Sequence, residues 1–187
     1  VLLAGPPDLA RHRRVVIVGV TGSGKSSLAV RLAALGGMPH VRIDDLMWRP
    51  GWVQLDAAAQ AEAVAPHVEA DAWVLDGLWT ATRGVVLPRT DLVIALDYPR
   101  RVSLGRLLNR TVHRLRSHES VCGGNSESWG KALSRDSIVA WHVRSFDRKH
   151  EQIEQMVAAP DGPPVLRFTD PRATDAWLRS LEHAAVA

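Results

Sequence analysis

The sequence predicts an α/β chain: a doubly wound, five-stranded parallel sheet with helices on both faces and a helical lid. Three observations predict it. Short β-branched runs alternate with helical stretches along the 187 residues. Three of those runs end in acids, at Asp44/Asp45, Asp76 and Asp97, and ligands of such sheets sit outside the carboxyl ends of the strands. Finally, Gly19-Val20-Thr21-Gly22-Ser23-Gly24-Lys25-Ser26 fits G-x-x-x-x-G-K-[ST], the phosphate-binding loop, and stands between a strand and a helix.

The first strand is Arg14-Val15-Val16-Ile17-Val18, apolar on both faces as a buried parallel strand should be. After the loop, Leu28, Leu32 and Leu35 recur at helical spacing until Gly36-Gly37 stops the helix. His40 to Asp45 reads as a second strand ending in carboxylates, and Leu46 to Trp52 as a loop turning at Pro50-Gly51. Asp56 to Ala70 reads as a helix interrupted near Pro66. Trp73 to Asp76 and Leu92 to Asp97 are the third and fourth strands. Arg100 to about Ser117 is a basic helix, followed by a polar lid segment over about 117–134 with Gly123-Gly124-Asn125 at its centre. A second basic helix runs from about Arg135 to Ala158, Pro163 to Phe168 is the fifth strand, and Asp175 to Ala185 is the closing helix. Residues 1–13 read as an irregular leader, because Pro6-Pro7 interrupts a run too short for a signal-peptide core. No repeat or linker divides the chain, so one domain is expected.

Each residue type in the loop has a physical task. Glycines let the backbone turn tightly and approach phosphate oxygens where a Cβ would clash. Their amides join the positive end of the following helix, itself an anion site. Lys25 supplies a mobile cation for the β- and γ-phosphates, and the Ser26 hydroxyl suits Mg²⁺. Gly19, Thr21, Gly22, Ser23, Gly24, Lys25, Ser26 and Ser27 are therefore the expected ATP-binding set.

Composition sets limits. With 46% hydrophobic and 23% charged residues the chain is that of a soluble globular protein, and no apolar run approaches the roughly 20 residues a membrane helix needs. The single cysteine, Cys122, excludes a disulfide framework and points to the cytoplasm. His118 and Cys122 have no companions that would make them a zinc site. Net charge is +3, and only Lys25, Lys131 and Lys149 of the 23 cationic residues are lysines. Arginine suits bidentate phosphate recognition, although a general arginine preference would give the same excess.

Other candidates follow from position. Asp76, ending a hydrophobic strand, is the expected partner of Ser26 in holding magnesium through its water shell. Asp44 and Asp45 point apart if the strand continues through them. Asp44 is the better placed to accept a proton from an acceptor hydroxyl or to touch the metal. Arg106, Arg110 and Arg114 form one stripe at i, i+4, i+8, a like-charge arrangement that bound phosphate would relieve. Arg135, Arg144 and Arg148 form an answering set on the second basic helix. Trp48, Trp52 and Trp79 either line an acceptor site or belong to the core.

These blocks resemble the adenylate-kinase-related family of phosphate-loop kinases. The loop is the first; Leu75-Asp76-Gly77-Leu78 resembles that family's L-D-G-F; Asp97-Tyr98-Pro99 with Arg106 and Arg110 is similar to its D-x-P…R-x-x-x-R. The resemblance implies the strand order 2-3-1-4-5, with Arg106 against the ATP base and Arg110 on its phosphates. The chain is more similar still to the FlaR-like bacterial proteins named for DNA topology modulation. With these it shares Ile43-Asp44-Asp45-Leu46-Met47-Trp48-Arg49-Pro50-Gly51-Trp52, Trp73 to Trp79 and Leu96 to Arg100. Thr80 stands where monophosphate kinases carry an acceptor-gripping arginine, so Arg83 or Arg89 is the expected substitute.

The expected function is transfer of the γ-phosphoryl of Mg·ATP to a small acceptor, a nucleotide or a hydroxyl compound, by a monomer or dimer. Lys25, Asp44, Arg106 and Arg110 are the expected catalytic residues, and Asp44, Trp48, Trp79, Arg83, Arg144 and Arg148 line the acceptor. Two other readings remain: a nucleotide-gated regulator binding DNA or a protein partner, and an ATP hydrolase without acceptor. No recognised DNA-reading module is present to support the former.

Overall fold

The computed structural model describes residues 2–3, 9, 11–117, 120–121, 125–126 and 137–186. The sequence-predicted lid segment, with His118, Cys122 and Arg135, lies for the most part outside these residues, as do most of the leader and the Arg114 side chain.

The elements run β1 (Arg14–Gly19), α1 (Lys25–Gly36), β2 (His40–Val41), α2 (Ile43–Met47), β3 (Trp48–Arg49), β4 (Val53–Gln54), α3 (Ala57–Val68), β5 (Trp73–Leu75), α4 (Arg83–Val86), β6 (Leu92–Leu96) and α5 (Arg100–Ser117). Then come β7 (Ser120–Val121), β8 (Asn125–Ser126), α6 (Ile138–Ala158), β9 (Val165–Phe168) and α7 (Pro171–Val186). The main sheet is parallel, in the order β2-β5-β1-β6-β9. Counted along the five main strands this is 2-3-1-4-5, so the fold is the expected α/β phosphate-loop one.

β1 lies at the centre and shows why its sequence does not alternate. Val15 and Ile17 pack with Leu28, Leu32, Leu178 and Trp177 of α1 and α7. Val16 and Val18 pack with Ile43, Met47, Val64 and Ile153 of α2, α3 and α6. Both faces of the strand are therefore apolar. At the amino end of the sheet Asp91 accepts from the Arg14 amide at 2.9 Å and from its guanidinium at 2.6 Å, tying β1 to the start of β6. In the leader Leu2 bridges to Val165, the Leu3 amide donates to the Val165 carbonyl at 2.9 Å, and Leu3 and Leu9 pack against the core.

Three boundaries differ from expectation. The second strand stops at Val41, and Ile43 to Met47 is a helix instead of strand and loop. Its cause is Asp76, whose Oδ1 accepts from the buried Ile43 amide at 3.0 Å and so caps the first turn. Trp48 to Gln54 is then a hairpin turning at Pro50-Gly51, with Trp52 at φ +61°. Pro66 does not interrupt α3, which runs to Val68 behind an Asp56 cap donated to by Ala59. The last helix begins at Pro171 rather than Asp175, with proline at its first position and Asp170 accepting from the Arg172 amide.

Two stability predictions follow from these contacts. Gly22 has φ +80°, and a Cβ there would collide with the Ser103 carbonyl oxygen and stand 2.9 Å from Leu107 Cβ. Gly22→Ala is expected to cost about 3 kcal/mol in urea denaturation. Gly37, at φ +57° but in open space, should cost only about 1 kcal/mol on the same change; equal losses would contradict the close packing of the loop. Asp76→Ala strands the Ile43 amide and should cost about 2 kcal/mol; a loss under about 0.5 kcal/mol, the surface value, would mean α2 is capped otherwise.

Candidate active site

The site is built at the carboxyl edge of the sheet, where β1 runs into the loop. Gly19, Gly22 and Gly24 all carry positive φ, at +146°, +80° and +99°. The space their missing side chains would fill is taken by the Leu96 carbonyl oxygen at Gly19 and by α5 at Gly22. This backbone is open only to glycine, and it leaves the amides at the start of α1 for an anion.

Lys25 opens α1 and folds back so that its Nζ donates to the Val20 carbonyl at 3.0 Å. Burial pushes its pKa below the ordinary lysine value, while Asp44 and Asp76 pull it up and Arg110 pushes it further down. Ser26 and Ser27 are exposed beside it. Ser23 is buried, with its carbonyl facing α5.

Helix α5 supplies the opposite wall. Arg106 Nη1 donates to the Ser23 carbonyl at 3.1 Å and its guanidinium lies over the Tyr98 ring, 5.5 Å from the centroid. Arg110 Nη2 donates to Thr21 Oγ1 at 3.3 Å. The structure thus brings both arginines onto the loop, one turn apart on one helix face. Ser103 of the same face is hydrogen-bonded through Oγ to Nε2 of the fully buried His142 on α6, at 2.9 Å. Burial, then Arg100, lowers the His142 pKa, so this link is a neutral one.

The acids separate into different environments. Asp76 is buried, held by the Ile43 amide, with His40 Nε2 3.3 Å from its second oxygen. Asp44 is exposed in the first turn of α2, and its Oδ1 accepts from Trp79 Nε1 at 3.0 Å. Asp45 turns away to Arg42 at 3.2 Å. Asp97 is ion-paired with Arg167, which also meets Glu154, and accepts from His150 Nδ1. Asp97, His150 and Glu154 are close enough to share a cation, but the Arg167 guanidinium already supplies the charge they need.

Next to Asp44 stands an aromatic wall. Trp48 meets Trp52 and Trp79 edge to face, at 5.7 Å and 5.9 Å between centroids. Arg83 begins α4 with its Nε buried and, among the described residues, without a hydrogen-bond partner; burial lowers its pKa. Arg89 is occupied elsewhere, 4.0 Å from Glu69. On α6, Arg144 is exposed, and Arg148 lies over Trp141 at 5.3 Å.

Sequence reasoning missed Lys149. It stands between the buried Ser145 and Ile153 on the inward row of α6. Burial, then Lys25, Arg83 and Arg148, push its pKa down to about 8, and Asp44 opposes them. The signal was present: Phe146, Ile153 and Met156 share helical spacing with Lys149, which marks it as the cation on the apolar face.

The hard oxygen donors at the loop, the Ser26 hydroxyl with the carboxylates of Asp44 and Asp76, are of the kind magnesium takes. Among the described residues no helix is long and apolar enough to cross a membrane.

No protein-family model matches the chain. Over 68 residues, 35% of its length, it is 46% identical to the tRNA dimethylallyltransferase of Cereibacter sphaeroides strain KD131. It is 43% identical over 67 residues to the enzyme of the same name from strain ATCC 17029. The chain spans about a fifth of the length of these curated relatives, 22% and 21%. Among solved structures it resembles the shikimate kinase of Acinetobacter baumannii in complex with shikimate, with TM-score 0.58, 15% identity and 92% of both chains covered. It also resembles the shikimate kinase of Bacteroides thetaiotaomicron, with TM-score 0.53, 12% identity and 94% and 99% of the two chains covered. A gluconokinase of Sinorhizobium meliloti 1021 matches with TM-score 0.51, 16% identity and 92% and 93% coverage. What the chain shares with these kinases is the fold: a five-stranded parallel α/β sheet of the phosphate-loop class, with helices on both faces.

Proposed function

We propose that the protein is an ATP-dependent phosphotransferase that moves the γ-phosphoryl group of Mg·ATP to a hydroxyl of a small acceptor. One observation carries the reading. A loop that only glycine can form, closed by Lys25, receives two arginines of α5, and the carboxylates of Asp44 and Asp76 raise the pKa of Lys25 against its burial. The likeness of fold to shikimate kinase and gluconokinase supports it.

In this reading the loop amides and Lys25 hold the β- and γ-phosphates, and Lys25 exchanges its bond to the Val20 carbonyl for phosphate oxygens. Arg106 and Arg110 close over the nucleotide from α5 and neutralise charge that develops on the transferred group. Ser26 would hold magnesium, with Asp76 acting through water because its oxygens already face Ile43 and His40. The metal would offset the negative charge of the phosphate oxygens.

The acceptor hydroxyl oxygen attacks the γ-phosphorus, the bond to the bridging oxygen breaks, and ADP leaves with its electron pair. The hydroxyl proton passes to Asp44. Trp79 holds one oxygen of that carboxylate and leaves the side chain oriented for the hydroxyl. Positioning and charge neutralisation supply most of the acceleration. An exposed carboxylate at the reacting end suits a neutral hydroxyl better than an attacking phosphate, whose charge it would repel. The block Ile43 to Trp52, which carries the resemblance to the FlaR-like proteins, builds this acceptor side through Asp44, Trp48 and Trp52.

The deciding experiment measures ADP release against nucleotides, sugars, hydroxy acids and small alcohols. At least a tenfold stimulation by one acceptor is expected, with a phosphorylated product. Slow turnover that no acceptor changes would instead support the hydrolase or regulator. Lys25→Ala should abolish ATP binding in calorimetry while thermal unfolding stays cooperative; unchanged turnover would falsify the loop assignment. Trp79→Phe keeps the ring and removes the donor to Asp44. It should lower kcat about tenfold, the worth of one hydrogen bond to a charged group, with ATP affinity retained. An unaltered kcat would remove Asp44 from the chemistry.

A further inference from the structure

We infer that Trp52, in the turn of the β3–β4 hairpin, is a specificity-determining platform on which the acceptor lies, and that the acceptor is a hydroxyl-bearing ring rather than an open chain. This deepens the phosphotransferase reading above and rests on it.

The turn that joins β3 to β4 is Pro50-Gly51-Trp52. Gly51 has φ +80° and Trp52, directly after it, has φ +61°. Among the described residues Trp52 is the one non-glycine residue with positive φ. A Cβ strains the backbone in that region, and a bulky side chain makes the choice rarer still. Hairpin turns of three residues ordinarily place glycine at the left-handed position. Here an indole stands there instead.

The core does not account for it. Trp48 and Trp79 pack, partly buried, against the apolar cluster that includes Ile43, Met47 and Trp73, and Trp52 is not of that set. The hairpin itself has two residue pairs, Trp48 with Gln54 and Arg49 with Val53, and stands apart from the main sheet. Pro50, Gly51 and Val53 are exposed around the half-buried Trp52. Two of the three tryptophans are thus explained by packing, and the strained one is not. Strain kept at the edge of a site belongs with recognition.

Two ring contacts and one hydrogen bond join Trp52 to the reacting end. Trp52 meets Trp48 at 5.7 Å and 77°, and Trp48 meets Trp79 at 5.9 Å and 75°. Trp79 Nε1 then donates to Asp44 Oδ1 at 3.0 Å. Indole rings and a carboxylate together offer a face for an apolar or π surface and an acceptor for a hydroxyl. A ring brings both features in one rigid body and loses few rotors on binding. An open-chain polyol with the same hydroxyls loses many and has no flat side. The ring can be a cyclic polyol, which lays C–H groups on the indole, or a nucleoside, which lays its base there.

The test follows ADP release at saturating Mg·ATP with matched acceptors. myo-Inositol is set against mannitol, alike in carbons and hydroxyls, and adenosine and uridine against ribitol. At least one ring should exceed its open-chain counterpart about tenfold in kcat/KM, the worth of one ring stacked on an aromatic side chain. Whether inositol or a nucleoside leads tells which ring is held. Choline tests whether the tryptophans instead cage an organic cation. Trp52→Gly relaxes the turn and removes the platform. It should raise the acceptor KM about tenfold with a smaller change in kcat, abolish the ring preference and retain ATP affinity in calorimetry. Relief of strain offsets the lost ring contact, so Tm should move by no more than about 3 °C. Trp52→Asn, which also accepts left-handed backbone, should behave alike, and Trp52→Phe should keep the preference. Open-chain acceptors or choline used as well as any ring, a ring preference that survives both Trp52→Gly and Trp52→Asn, or early melting of both variants would overturn the platform and leave the phosphotransferase standing. No stimulation of ADP release by any acceptor would sink the phosphotransferase reading, and this proposal with it.

Discussion

The approach of Gly22 to helix α5 is the constraint on which the site depends. No side chain fits between the loop and the Ser103 carbonyl and Leu107. Ser103, Arg106, Leu107 and Arg110 are spaced i, i+3, i+4, i+7, so they share one face of the helix. Bringing the loop onto Ser103 and Leu107 therefore brings Arg106 and Arg110 onto it too, where they donate to Ser23 and Thr21. The positive φ of the loop and the delivery of two cations are one packing event seen from two sides.

A second constraint shapes the acceptor side. Asp76 sits at the end of β5 and spends one oxygen on the Ile43 amide. That bond ends β2 and starts α2 two residues later, which turns Asp44 and Asp45 about 100° apart on a helix instead of to opposite faces of a strand. Asp44 then meets Trp79, which follows Asp76 by three residues in the chain. One buried carboxylate thus aligns the exposed one through both of its sequence neighbourhoods.

Much of this was legible in the sequence. The motif, the apolar runs and the acids at strand ends identified the sheet and the edge on which the site lies, because glycine geometry and two-sided burial leave strong local patterns. The turn at Ile43 was not legible, because its cause is a carboxylate 33 residues away. Nor was the choice among the cations of α6. Arg144, Arg148 and Lys149 differ by rotation about one helix axis; Arg144 is exposed and Arg148 lies over Trp141. The burial of Ser145 and Ile153, known only once the helix is packed, turns Lys149 inward.

The rotation of α6 is itself fixed at two points. Near its start His142 is buried against Ser103 of α5. Near its end His150 Nδ1 donates to Asp97 Oδ1 at 2.9 Å, while Glu154 shares Arg167 with that same carboxylate. Asp97 directly follows β6, and Arg167 belongs to β9, so this second anchor is the sheet. Successive helical residues point 100° apart. With His150 committed to Asp97, Lys149 is left on the row of the buried Ser145 and Ile153, where burial and then the charges of Lys25, Arg83 and Arg148 lower its pKa and Asp44 opposes them. The acid that ends the fourth main strand thus acts on the site at one remove: it holds the helix that aims the lysine.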